Sequence, residues 1–136
     1  MDAAEWAHEL AYSLRVGPGT PSLLTIATCV GPTASREVIA TAKRVVGEAG
    51  WPLYELVARE VAPDPSLLRE NGFLILRDVR QPIPPAVPVL IGAHQLHISR
   101  GLPVGLLIVG SPAGIKGLRR HPGLGFLSRA EWVVQN

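Results

Sequence analysis

Ser22-Leu23-Leu24-Thr25-Ile26-Ala27-Thr28 runs seven residues without a charge and is rich in apolar and β-branched types. A strand wetted on one side alternates apolar and polar residues. An unbroken apolar run belongs to a strand covered on both faces, as in parallel sheets flanked by helices. Cys29-Val30-Gly31-Pro32-Thr33-Ala34 then reads as a turn. From about Ser35, residues Val38, Ile39, Ala42, Val45, Val46 and Ala49 recur at helical spacing, and Gly50 stands where a left-handed C-terminal cap belongs. Strand, turn and helix in that order form the repeating unit of an α/β fold.

Outward from this unit the alternation continues. Upstream, Asp2 and Glu5 have the spacing of a capping box. Ala3, Trp6, Ala7, Leu10, Ala11 and Leu14 then line one face of a helix over 1–15, which Val16-Gly17-Pro18-Gly19-Thr20-Pro21 ends. Downstream, Trp51 to Val57 predicts a second strand, placed at an edge by Pro52 and Glu55. Pro63 to Asn71 predicts a short helix capped by Asp64. Phe73-Leu74-Ile75-Leu76 is a third strand, buried and ending in Arg77-Asp78.

After the loop Gln81-Pro82-Ile83-Pro84-Pro85, a helix over Ala86 to Arg100 sets Val87, Leu90, Ile91, His94 and Ile98 on one face. Gly101 closes it. Pro103 to Gly110 is a fourth strand, Ser111 to Leu127 a glycine-rich basic stretch with short helical pieces, and Trp132-Val133-Val134-Gln135 a fifth strand. The expectation is one α/β domain over 1–136, with an N-terminal helix over 1–15 and a core over 22–135. Its mainly parallel sheet has about five strands with flanking helices. Leu24, Ile26, Leu74, Ile75, Leu106, Ile108 and Val109 are placed at its centre.

Composition sets bounds on function. The 136 residues are 47% hydrophobic and 18% charged, which excludes intrinsic disorder. A formal net charge of +2 is too small an excess to make nucleic acid the expected partner. Cys29 is the single cysteine, so an internal disulfide and a multi-cysteine metal site are both excluded. The acidic start lacks the features of a signal peptide. Three long uncharged stretches, Val16 to Ser35, Gln81 to Ser99 and Gly101 to Ile115, are too short or too rich in proline to span a membrane. A soluble cytoplasmic chain without membrane insertion is expected. Eleven arginines against two lysines, with 14 glycines and 13 prolines, have the character of a GC-rich bacterial coding sequence.

The order of these elements, the segment from Val45 to Trp51 ending in Glu48-Ala49-Gly50-Trp51, and Gly101-Leu102-Pro103-Val104 leading to Gly110-Ser111-Pro112 resemble the core of AAA-type P-loop ATPases. The likeness is to the bacterial and archaeal ATP-binding group, and it extends from Pro21 to Gln135. It implies a P-loop ATPase-like core. The motifs that carry hydrolysis depart from that pattern.

A working P-loop, GxxxxGK[ST], cradles phosphates on backbone amides, with a Lys for their charge and a hydroxyl for magnesium. In that register Cys29 and Ala34 replace the two glycines, Ser35 the Lys, and Arg36 the Ser or Thr. Pro32 removes one amide. Asp78 is retained as a Walker B remnant, whereas Val79 replaces the catalytic Glu. Ser111 falls near the polar sensor and Arg129 near the arginine finger. Against that family, a core without the lid domain is expected. Losing one electrostatic contributor typically costs on the order of 10²–10³ in rate, and several are gone together. The resemblance therefore implies a degenerate core that is not an enzyme, with no cofactor expected.

Among the remaining candidates, Cys29 reads as a small buried hydrophobe and His94 as a hydrogen-bonded core residue. Asp78 is read as pairing with Arg77 or Arg80 at the sheet's edge rather than as a metal ligand. Degenerate P-loop positions Gly31, Ser35 and Arg36 with Asp78 mark the nucleotide side. Lys116, Arg119, Arg120 and Arg129 form the interaction candidate, since Arg is enriched at binding hot spots. Three readings result, the third being an enzyme of different chemistry on the same scaffold, since fold does not dictate function. The first is an inactive ATPase-like domain working through protein contacts, with itself or with a host protein such as a functional ATPase, in the manner of a phage or mobile-element accessory. The second is a nucleotide-binding regulatory protein without hydrolysis.

Overall fold

The capping box forms as its spacing predicts. Asp2 accepts from the Glu5 amide at 2.9 Å, and the Glu5 carboxylate accepts from the Asp2 amide at 3.3 Å. From there helix α1 runs Ala3–Val16. The computed structural model describes residues 1–17, 20–122, 124 and 130–136. Within it, strands β1 (Leu24–Cys29), β2 (Leu53–Val57), β3 (Phe73–Val79), β4 (Gly105–Gly110) and β5 (Glu131–Gln135) alternate with helices α2 (Pro32–Glu48), α3 (Ala86–Ser99) and α4 (Pro112–Arg119).

The strands make one five-stranded sheet in the order β2-β3-β4-β1-β5, every neighbouring pair parallel. The alternation of side chains explains why the central strands are apolar throughout. Leu74, Leu76, Leu106 and Ile108 point to the face covered by α3 and α4. Phe73, Ile75, Leu107 and Val109 point to the face covered by α1 and α2. Every residue placed at the sheet's centre is buried. Trp6 of α1 is fully buried, and its indole N–H donates to the Thr25 hydroxyl at 3.0 Å, which in turn donates to the Ser22 carbonyl at 3.1 Å.

The crossovers position the site. After β1 the chain turns along α2, over β4 and β3, to reach β2. After β4 it turns along α4, on the other face, past β1 to β5. Neighbouring strands β1 and β4 thus send their connections in opposite directions. Open α/β sheets bind ligands at such a switch point, in the crevice outside the strands' carboxyl ends.

Several boundaries differ from the sequence reading. Helix α2 begins at Pro32, inside the expected turn, because proline's fixed φ suits the first helical position and its missing N–H has no partner there anyway. Ser22 and Leu23 belong to a 3-10 turn ahead of β1. The helix expected over 63–71 is only a 3-10 turn, Pro65–Leu67, whose Asp64 carboxylate accepts from the Ser66 amide and hydroxyl at 2.9 and 2.8 Å. A segment this short does not repay helix nucleation. Strand β4 starts at Gly105 rather than Pro103, and β3 continues to Val79. In that extension Leu76 pairs with Ile108 and Val79 with Gly110, so β3 carries one residue more than β4. This is a bulge at Arg77-Asp78. Asp78 lies on an inner strand, not at the sheet's edge. Among the described residues no helix is long and apolar enough to cross a membrane.

Candidate functional site

Where β1 ends, Gly31 takes φ 94°, a left-handed conformation that strains any residue with a Cβ. It is the N-cap of α2, with no side-chain cap bond. Pro32 has no amide to offer, and the Ser35 amide already donates to Gly31 O at 3.3 Å. The Ser35 hydroxyl lies against the same carbonyl at 3.4 Å. One turn on, the Arg36 guanidinium donates to the Thr33 hydroxyl at 3.3 Å, and its side chain is exposed.

Where β3 ends, the bulge holds Asp78 at φ 58°. Asp tolerates this region better than most residues, yet the conformation is uncommon outside glycine. Bulges and such strained residues gather beside functional sites, where they re-aim a side chain. The bulge turns the Asp78 carboxylate between two arginines, 3.1 Å from Arg77 Nη1 and 4.0 Å from Arg80 Nη2. Arg77 also stands 2.9 Å from Glu55 Oε2 through its Nε, and Glu55 Oε1 is 2.7 Å from Lys43 Nζ. The Arg77 Nε–H does not point along that line, so the contact is an ion pair and not a hydrogen bond.

Where β4 ends, Ser111 serves as N-cap of α4, its hydroxyl accepting from the Gly114 amide at 3.1 Å, and its own amide donates to Val79 O at 3.3 Å. A Cβ on Gly114 would collide with the Val79 carbonyl, so α4 is seated directly on the bulge. The Ser111 hydroxyl thus caps α4.

These three strand ends enclose a cleft of about 740 Å³, roofed along one side by Arg36, Ile39, Ala40 and Lys43 of α2. That size falls within the range of small-molecule sites. Its lining carries four cationic side chains, Arg36, Lys43, Arg77 and Arg80, against two carboxylates, Glu55 and Asp78. Both carboxylates are ion-paired. Among the described residues Arg36 has no carboxylate partner, and no cluster of His, Cys, Asp and Glu could hold a metal ion. Cys29 lies on the floor, buried, and burial pushes its thiol up while the Ser35 hydroxyl pulls the other way. A thiol so placed is a poor nucleophile.

Gly31, Ser35 and Arg36, at the start of α2, and Asp78, more than forty residues on, therefore converge on one cleft. Lys116, Arg119 and Arg120 do not join them. They lie at the far end of α4, where Lys116 and Arg120 are exposed and the Arg119 guanidinium stacks 4.1 Å from the centre of the Trp132 ring. Arg129 lies outside the described residues. Sequence reasoning missed Lys43 and Glu55. Arg36, Ile39, Ala40 and Lys43 follow one another at i, i+3, i+4 and i+7, one face of a helix, and that spacing was the available signal. No family model, curated protein or solved structure matches this chain.

Proposed function

We propose that this chain is a non-hydrolysing, P-loop-like α/β domain whose cleft binds a small phosphate-bearing anion such as a nucleotide. The observation that carries the reading is the cleft's place and charge. It opens at the switch point between β1 and β4, and its lining has two more cationic side chains than carboxylates. The five-stranded parallel order is consistent with a P-loop-like core. Phosphate anions are held by arginines and by amides at a helix start, and the cleft has Arg36 beside the uncapped first turn of α2. Chemistry is a separate matter. Ser35 and Val79 stand where the P-loop Lys and the Walker B Glu of the resembled family would be, and Asp78 is held by arginines.

Thermal unfolding in the presence of ATP, ADP and GTP tests this. A ligand at about 100 times its Kd stabilises a fold by about 2.7 kcal/mol, which moves the midpoint by several degrees. The expected result is such a shift with at least one of them, lost in Arg36→Glu. No shift with any of the three rejects the reading.

The reading through protein contacts has its own observation. The cationic end of α4 presents Lys116 and Arg120 to solvent beside the Arg119–Trp132 stack. Arg and Trp are the residue types that most often anchor interfaces. Arg119→Glu combined with Arg120→Glu abolishes capture of a protein partner under this reading and leaves nucleotide-induced stabilisation intact.

A further inference from the structure

Resting on the cleft reading, we propose that the cleft takes its phosphate-bearing ligand free of divalent metal, and that Asp78 is an internal competitor for that anion, not a metal-holding residue. A metal-chelated phosphate needs an oxygen donor directed at the metal. Neither carboxylate of the cleft is free for that. Glu55 is bound by Lys43 at 2.7 Å and Arg77 at 2.9 Å, and Asp78 by Arg77 at 3.1 Å and Arg80 at 4.0 Å. A divalent cation entering here meets four cationic side chains and, among the described residues, no carboxylate outside an ion pair. A metal-free diphosphate meets the reverse, an excess of positive charge opposite in sign to its own.

Asp78 occupies the place an incoming anion would take. Its carboxylate sits between Arg77 and Arg80, and the bulge with φ 58° is what aims it there. An anion reaching those guanidiniums must outcompete it. Removing the charge at residue 78 therefore strengthens binding, whereas removing a metal-holding carboxylate would weaken it. Asn is the substitution of choice, because it also tolerates the left-handed region and keeps the side chain's shape.

Titration calorimetry with pyrophosphate and with ADP, each in EDTA and in excess magnesium, on the natural chain and Asp78→Asn, decides the matter. Binding is expected in EDTA, weakened roughly tenfold by magnesium as chelation cancels ligand charge, and tightened roughly fivefold in Asp78→Asn. Pyrophosphate binding as tight as ADP places recognition in the phosphates alone; weaker binding adds the nucleoside. Binding that requires magnesium, or is lost in Asp78→Asn with its circular dichroism unchanged, overturns this inference and leaves the cleft reading standing. No binding of either anion in either buffer overturns both. Should Asp78→Asn fail to fold, the EDTA and magnesium comparison on the natural chain alone decides.

Discussion

His94 is the residue whose chemistry is most at odds with its surroundings. It is 2% exposed on α3, and its Nε2–H donates to the Val104 carbonyl at 2.8 Å, leaving Nδ1 buried without a hydrogen bond. Burial dominates and pushes its pKa down to about 4. The Val104 and Leu23 carbonyls oppose that shift, and the nearby His97 adds to it. In the unfolded chain the imidazole takes its proton near 6.5. Between the two values the unfolded state binds more protons, so stability is complete above about pH 6.5 and lost as pH falls towards 4. The full span is worth on the order of 3 kcal/mol. Urea unfolding at pH 7 and pH 4.5 should show most of that loss. His94→Gln, which keeps an N–H for Val104 and does not titrate, should show a clearly smaller one. Equal pH dependence in both proteins would remove His94 as its source.

At the scale of elements, the least replaceable contact is the seat of α4 on the β3 bulge. Gly114 meets the Val79 carbonyl with no room for a Cβ, and the Val79 carbonyl also accepts the Ser111 amide. Gly114→Ala must lift α4 from the sheet or flatten the bulge, at about 1–3 kcal/mol as in other overpacked sites. A Gly114→Ala protein as stable as the natural one in denaturant would show that this approach is not tight. The bulge also marks the limit of what sequence conveys. All five strands and helices α1, α2 and α3 were legible, the inner strands as unbroken apolar runs and the helices because burial imposes a local period on residues such as Val38, Ala42 and Val45. The bulge was not, since nothing local in Leu76-Arg77-Asp78-Val79 asks for an extra residue. The residues packed against it, Gly110 and Gly114, lie more than thirty residues on. The cleft divides the same way. Gly31, Ser35 and Arg36 lie within one turn and could be read together. Lys43 and Glu55 meet only once α2 crosses the sheet. Glu55 reaches Arg77 only because the register opposes Glu55 to Ile75 and Val57 to Arg77, making Glu55 and Arg77 diagonal neighbours on one face.

At the scale of the whole molecule, stability and the proposed function are carried by separate parts. Two apolar layers, one on each face of the sheet, hold the fold, and the cleft opens at the sheet's carboxyl edge beyond them. The exposed Arg36 and Arg80 add little to folding. Arg36 has no carboxylate partner among the described residues, and Arg80 is 62% exposed and 4.0 Å from its only described one. Trp6 is the opposite case, fully buried between α1 and the sheet and hydrogen-bonded to Thr25. Trp6→Ala leaves a large cavity and should cost about 3–5 kcal/mol, with unfolding near or below ordinary assay temperatures. Arg36→Glu with Arg80→Glu changes the cleft's charge by four units and should alter stability by only about 0.5 kcal/mol each. Binding of pyrophosphate should nevertheless disappear, because an anion then meets a cleft of net negative charge. Anion binding in the natural chain should also weaken steeply with added salt, as screening shortens the reach of the cleft's charges. The measurement is a pair of denaturant curves and a pair of pyrophosphate titrations on the natural and doubly reversed proteins. Matching denaturant curves with binding abolished are expected. Retained pyrophosphate binding in the reversed protein would place the anion somewhere other than this cleft.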